Sequence, residues 1–240
     1  MANTLLFSEY RLRDVVLKNR IVASPMWQYS GQRGYPTDWH LVNLGRLAAG
    51  GAGLVLQEGT TIERRGCGTR GDIGIWDDAF VPSYARIVSL IRAAGAVPGI
   101  QLMHAGRKAR TRSVADGGGP LERTPEIGDW HEWEVIGPSA IPPASTYGYQ
   151  VELAASVRRE TGVPTSAVGL IVHAKQAERT LAEGAADLIV LARELIYNPN
   201  WPIDAAQKLN DDVGFGVMHS KSAWWLARRA TNMPNLRPST

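Results

Sequence analysis

Apolar residues fall along this chain in two textures: short unbroken runs, and longer stretches where they recur every three or four positions. The first texture predicts parallel strands buried on both faces, the second amphipathic helices. Residues 20–24 (RIVAS) make one such run and stop at Pro25. Thr37-Asp38-Trp39-His40 then offers a cap, Leu41, Leu44, Leu47 and Ala48 follow at helical spacing, and Gly50-Gly51-Ala52-Gly53 ends the helix. Residues 54–58 (LVLQE) predict a second strand. Residues 79–94 predict a helix with Ile87, Leu90 and Ile91 on one side, stopped by Gly95, and 97–103 a third strand. Further on, 151–161 read as a helix, 164–171 (PTSAVGLI) as a fourth strand, 174–183 as a helix stopped by Gly184, and 186–192 (ADLIVLA) as a fifth strand. Asn198-Pro199-Asn200-Trp201-Pro202 reads as a turn, 205–209 as a short helix and 222–230 as an amphipathic tail.

Strand, helix, strand is the βα repeat of a parallel sheet, so the fold class is α/β. The rhythm breaks between 105 and 145, a long segment rich in Gly and Pro. Such loops are either functional or disordered, and Trp130 and Trp133 argue against full disorder. Five parallel strands cannot close the usual eight-stranded (β/α)8 barrel. An open sheet, a distorted partial barrel, or a barrel completed by a second subunit remain. Each must cover the two strands at the gap, because unpaired edges invite association, and a homo-oligomer is expected on that ground.

Composition changes this picture little. The 240 residues, 44% hydrophobic and 20% charged, suffice for one sizeable core, and one barrel-derived domain over 1–240 fits that length. The net charge of +3 is spread out. Its densest basic spot, Lys108-Ala109-Arg110-Thr111-Arg112, reads as a solvated loop rather than a nucleic-acid contact. A field this mild can still favour an anionic ligand locally. Cys67 is the only cysteine, which rules out an intrachain disulfide and a thiolate metal cluster and suits a reducing cytosol. Met1 to Tyr10 carries Glu9 and no long apolar stretch, so no signal peptide is expected. No window approaches the ~20 apolar residues of a membrane helix. The expectation is a soluble, cytoplasmic protein.

Candidate chemistry gathers at strand ends. Ala167-Val168-Gly169 ends the fourth strand, and Ala192-Arg193 ends the fifth. Barrels often hold a phosphate beyond their last two strands, where a glycine permits close backbone approach and an arginine forks phosphate oxygens. The alternative is a turn glycine and an arginine paired with a local acid such as Glu194. Ser24-Pro25-Met26-Trp27 ends the first strand; Met26 either lies against a flat ring or fills core. Gln101 and His104 flank the end of the third strand, where a glutamine can serve both edges of a heterocycle and a histidine can be catalytic or structural. Glu58 is a candidate base without a partner nearby in sequence. The five histidines make no paired metal-ligand motif, and there is no serine elbow, P-loop or dinucleotide fingerprint.

Taken in order, Asn19-Arg20-Ile21, Ser24-Pro25-Met26, Asp38-Trp39-His40, Gly51-Ala52-Gly53-Leu54, Gly74-Ile75-Trp76-Asp77-Asp78, Gln101-Leu102-Met103-His104-Ala105-Gly106-Arg107-Lys108 and Gly137-Pro138-Ser139-Ala140 resemble the N-terminal part of Old Yellow Enzymes. Within that family they resemble the bacterial branch of NADPH dehydrogenases and xenobiotic reductases. Residues 164–171, Ala192-Arg193-Glu194-Leu195, 199–202 and Trp224-Trp225-Leu226 resemble the C-terminal part. The resemblance implies FMN held noncovalently in a TIM barrel, with NADPH or NADH as hydride donor and an activated alkene as small-molecule acceptor. It implies that Ser24, Pro25, Met26, Trp27, Gly59 and Gln101 line the flavin, that Gly169, Ala192 and Arg193 hold its phosphate, and that Tyr29 faces the substrate as the catalytic group.

The same comparison implies a deletion. Residues 142–149 join the loop after the third strand directly to the helix before the family's seventh, so the barrel is incomplete, with 1–143 and 148–240 as its two parts. The substrate-gripping His-His or His-Asn pair, the usual tyrosine donor and an arginine beside the flavin are lost with it. Removing one preorganised donor of that kind costs on the order of 100-fold in rate, so impaired turnover is expected. Trp27 stands where the branch usually has a redox-tuning cysteine, and Ala192 replaces a common glycine.

Overall fold

The computed structural model describes residues 4–137, 151–169 and 171–209, together with Val217, Ala223, Leu226 and Arg228. The expected junction at 142–149, the 138–140 motif and most of the 222–230 tail lie outside the described residues.

The chain opens with a hairpin, β1 (Tyr10–Leu12) against β2 (Val15–Leu17), whose turn puts Arg13 at φ 54°. The main sheet uses β3 (Ile21–Ala23), β4 (Leu54–Thr61), the two-residue β5 (Ile73–Gly74), β6 (Val97–Met103), β7 (Ser166–Val168) and β8 (Leu188–Leu191). All its pairings are parallel, and the long strands lie in the order β6, β4, β3, β8, β7. The first strand therefore pairs with both the second and the last, as at the seam of a closed barrel. Ile21, Val22 and Ala23 stand opposite Ile189, Val190 and Leu191. The expected five-strand count holds for the long strands, and the break falls between β6 and β7, on either side of the interrupted rhythm.

Side-chain alternation sorts the strands into two faces. On one, Val22, Leu54, Leu56, Val97, Leu188 and Val190 meet over Leu17 and Tyr10 of the hairpin, which plugs that end. On the other, Ile21, Ala23, Val55, Ala167, Ile189 and Leu191 pack under the helices. These are α1 (Asp38–Ala49), α2 (Val81–Ala93), α3 (Val151–Thr161), α4 (Ala174–Ala182), α5 (Arg193–Tyr197) and α6 (Trp201–Lys208). The start of α1 is fixed by His40, whose Nδ1 accepts the Thr37 N–H at 2.9 Å, a part that glutamate or glutamine commonly takes. The outer side of β6 is less well covered: Ile100 is 39% and Leu102 60% exposed.

Several boundaries move. β4 runs on to Thr61, so Glu58 is interior to the strand rather than at its end. β7 is confined to Ser166–Val168, because Pro164 offers no N–H and Gly169 turns away at φ 111°. The predicted 205–209 helix begins at Trp201 with Pro202 in its first turn, where a missing N–H costs nothing. Within the long segment after β6, Trp133 is fully buried against Cys67 and Ile127, which makes that stretch ordered structure with its own small core.

Contacts between the two parts of the chain extend beyond the β3–β8 seam. The backbone N–H groups of Leu5 and Leu6 donate to the Glu178 carboxylate at 2.9 and 2.8 Å, and Arg20 donates to the Asp187 carbonyl at 3.2 Å. Asp187 in turn accepts from Arg158 at 2.9 and 3.1 Å and from the Thr165 N–H at 2.9 Å. Burial works against its charge, but the bonds from Arg158 and Thr165 outweigh it and hold the carboxyl below the usual range. A folded pKa below the unfolded value of about 3.9 gives stability that is complete above that pH and lost as pH falls through the folded value. Arg158 is 40% exposed, so screening reduces the effect. Asp187→Asn is expected to cost about 1–2 kcal/mol at pH 7. In urea titrations the gap from wild type should narrow at pH 3; an unchanged gap would mean the charge is not what stabilises.

Candidate functional site

Because every long strand points the same way, all five C-terminal ends lie along one edge of the sheet. Across it come, in order, Gln101 in β6, Gly59 in β4, Ser24 to Met26 after β3, Ala192 and Arg193 after β8, and Gly169 after β7. From β8 to β6 is three inter-strand steps, roughly 14 Å at about 4.8 Å each. The seam holds at this end: the Ser24 N–H donates to the Leu191 carbonyl at 2.9 Å, which sets Ser24 and Pro25 beside Ala192 and Arg193.

The register on the other side depends on a bulge. Gln57 stands opposite Ile100 and Gly59 opposite Gln101, which leaves Glu58 as the extra residue. Gly59 is thereby brought level with Gln101. A Cβ on Gly59 would lie 2.3 Å from Met103 Sδ and 3.3 Å from Trp27 Nε1, so its missing side chain is used by Met103 and Trp27 packing across the strand. Trp27 is 40% exposed and stacks obliquely on Tyr29 at 5.9 Å. Met26 is half-buried, with one part of its side chain packed against the helix-side core.

The contacts bear on two of the open sequence alternatives. Arg193 is exposed and has no acidic partner among the described residues, so its guanidinium is not spent on Glu194. His104 is held at both ring nitrogens: Nδ1 accepts the Gly106 N–H at 2.9 Å, which leaves Nε2 to donate to Glu63 at 2.8 Å. The Gln101 amide is exposed and makes no side-chain hydrogen bond among the described residues.

Tyr29 sits at φ 52°, against Gly71, where a Cβ would meet the Tyr29 carbonyl at 2.2 Å. Burial, then the nearby charges of Asp72 and Glu58, push its hydroxyl pKa up, so it keeps its proton near neutral pH. Glu58 is buried, accepts the Gln28 N–H at 3.1 Å and lies 3.7 Å from His40 Nε2. Its partner is thus a residue eighteen positions away, invisible to local sequence reading. Gln57, also buried, has neither amide atom bonded among the described residues; a polar pair inside the run LVLQE was the available signal.

Beyond Tyr29 a cavity of about 1050 Å³ opens between the loops after β3, β4 and β6, with Arg33, Arg64, Arg70, Arg112 and Asp129 among its walls. Sequence reading treated Arg112 as part of a solvated loop and did not single out the others. A smaller cavity of about 370 Å³ between the start of α4 and α6 includes none of the nominated residues. Among the described residues no group of three His, Cys, Asp or Glu could hold a metal, and no helix is long and apolar enough to cross a membrane.

The family model described as NADH:flavin oxidoreductase / NADH oxidase matches this chain in two pieces, 5–127 and 120–212. An NADPH dehydrogenase of Geobacillus sp. (strain WCH70) is 28% identical over 334 aligned positions, covering 91% of this chain and 98% of that protein. One from Listeria monocytogenes serotype 4a (strain HCC23) is 29% identical over 335 positions, covering 91% and 99%. An alignment of 334 positions against 240 residues leaves at least 94 (334 less 240) with no counterpart here, consistent with an internal deletion. Among solved structures, the Old Yellow Enzyme homologue from Zymomonas mobilis superposes with TM-score 0.63 at 18% identity, covering 85% of this chain and 92% of that one. Morphinone reductase in complex with tetrahydroNAD gives 0.62 at 16% identity, covering 86% and 91%. These likenesses concern the fold: a TIM barrel of the Old Yellow Enzyme type, here incomplete.

Proposed function

Since the chain belongs to the NADH:flavin oxidoreductase / NADH oxidase family, we propose that it is an FMN-dependent NAD(P)H oxidoreductase working at the strand-end face. The observation that carries this reading is the bond from the Ser24 N–H to the Leu191 carbonyl, which joins the nominated flavin-lining and phosphate-holding residues into one edge. The donor set suits the ligand. Gln101 offers an uncommitted amide to a heterocycle edge, and Arg193 an uncommitted guanidinium to a phosphate. Gly169, at φ 111°, lets backbone approach without a Cβ. When bound, FMN supplies hydride chemistry, linking NADPH or NADH to an acceptor such as an activated alkene.

This chain's own residues hold and orient. Ser24, Pro25, Met26, Trp27, Gly59 and Gln101 line the ring, while Gly169, Ala192 and Arg193 hold the phosphate. Tyr29 faces the acceptor and, its pKa raised by burial, keeps a proton to give. Residues 1–240 act as one domain. Reduction of alkenes is expected to be slow, because the missing strands remove one wall of the pocket and the groups that grip a substrate carbonyl. The exposure of Gln101 favours a second reading, a remnant that binds flavin weakly and turns nothing over.

Anaerobic NADPH oxidation with a simple enone, with and without added FMN, separates the two. The expected result is FMN- and enone-dependent consumption at least 100-fold slower than that of a complete relative such as the Geobacillus enzyme. Consumption that ignores both additions would leave only the remnant.

A further inference from the structure

The large cavity beyond Tyr29 neighbours the strand-end face through Tyr29 and Trp27. Gly59 touches Trp27, Trp27 stacks on Tyr29, and Tyr29 forms part of the cavity wall. At about 1050 Å³ it is large enough for a second, sizeable ligand beside the first. Its charges are unevenly committed. Arg64 is ion-paired to Asp129 and lies 4.2 Å over the Trp133 ring. Arg70 is near Glu126, whose carboxyl is held below the usual range chiefly by its bond from Thr124, then by its own backbone, and least by that arginine. Asp116 accepts from the Ser113 hydroxyl at 2.6 Å. Arg33 and Arg112 remain: both are exposed, both line the cavity from different loops, and neither has a partner among the described residues.

Arg33 also sits in an uncomfortable place. Gln32 and Tyr35 exchange both backbone hydrogen bonds, at 3.0 and 2.9 Å, around Arg33 at φ 52° and Gly34 at φ 86°. Positive φ at both central residues is a type I′ turn, which strongly prefers Asn, Asp or Gly at its first central position. A β-carbon-bearing cation there carries backbone strain that glycine would remove and asparagine would tolerate better, and such strain gathers where the side chain has a task.

We propose that this cavity takes the phosphate-bearing arm of the pyridine dinucleotide donor, with Arg33 and Arg112 holding its phosphates. The proposal rests on the flavin-oxidoreductase reading and adds where the donor binds. Two free guanidiniums from separate loops match a polyanion, whereas an uncharged alkene needs neither. The arginines are positioning residues that touch the donor's phosphates, away from the reacting atoms.

The test is calorimetric titration with NADP+, which binds without donating hydride, against wild type, Arg33→Asn and Arg112→Gln. Arg33→Asn keeps the turn, and Arg112 lies exposed in a loop, so both variants should melt like wild type. Each loss of a charge-assisted contact is expected to weaken NADP+ by about 10-fold or more. A parallel titration with NAD+ tells the sources apart: equal weakening assigns the pyrophosphate, weakening with NADP+ alone the 2′-phosphate. Unchanged affinity in both variants, or a wild type that binds no NADP+, would overturn the proposal. Flavin content, read from visible absorbance, is independent of this readout. Arginine-dependent NADP+ binding in protein that takes up no FMN would sink the flavin reading and leave the donor pocket standing. Flavin uptake with no arginine dependence would do the reverse.

Discussion

Gly50→Ala is expected to destabilise the protein by about 3 kcal/mol, a fall of roughly 6–12 °C in Tm for a chain of this size. The cause is not helix propensity, since Gly50 caps α1 at φ −70°, where alanine is comfortable. A Cβ there would lie 1.7 Å from the Pro199 carbonyl oxygen and 2.6 Å from its carbon. Backbone cannot swing aside as a flexible side chain can. The turn at Pro199 would have to move, taking with it Trp201 and Ala205, which are buried in the main core. The loss thus falls on the contact between the two parts of the chain. Gly128→Ala is the control: nothing lies within 4 Å of its added carbon, and little change is expected. Thermal melts that move equally for both variants would show that Pro199 is not held against α1.

Arg193→Ala has the largest expected effect on ligand binding. If the guanidinium holds the FMN phosphate, its removal loses up to two charge-assisted bonds and should weaken FMN on the order of 10- to 100-fold. Riboflavin has the same ring and no phosphate, so its affinity should not change. The exposure of Arg193 and its lack of an acidic partner make a folding effect small, and the variant should melt like wild type. Equal losses for FMN and riboflavin would instead place Arg193 at the ring or assign it to structure.

The strands themselves were legible because buried parallel strands leave continuous apolar runs, and β3, β4, β6 and β8 each carry one, whereas the pairing of the first strand with the last was left open. The hairpin was not, since Tyr10–Leu12 and Val15–Leu17 are three residues each, with Arg11, Arg13 and Asp14 interrupting. α5 escaped for a similar reason: five residues from Arg193 are too few for a period to show. At the site, residue identities were readable and their mutual placement only partly so. That Ser24 and Arg193 share an edge follows from parallel strands. That Gly59 comes level with Gln101 depends on the bulge at Glu58, which no local pattern announces. The arginine-walled cavity was illegible because Arg33, Arg70 and Arg112 arrive from three loops with no common spacing.

The most direct measurement is an equilibrium titration of the purified chain with FMN, followed by quenching of flavin fluorescence. A surviving binding face predicts saturation at one FMN per chain, with a yellow protein after gel filtration. A chain that stays colourless, leaving the fluorescence of added FMN unquenched, would show that an incomplete barrel has kept its seam and lost its ligand.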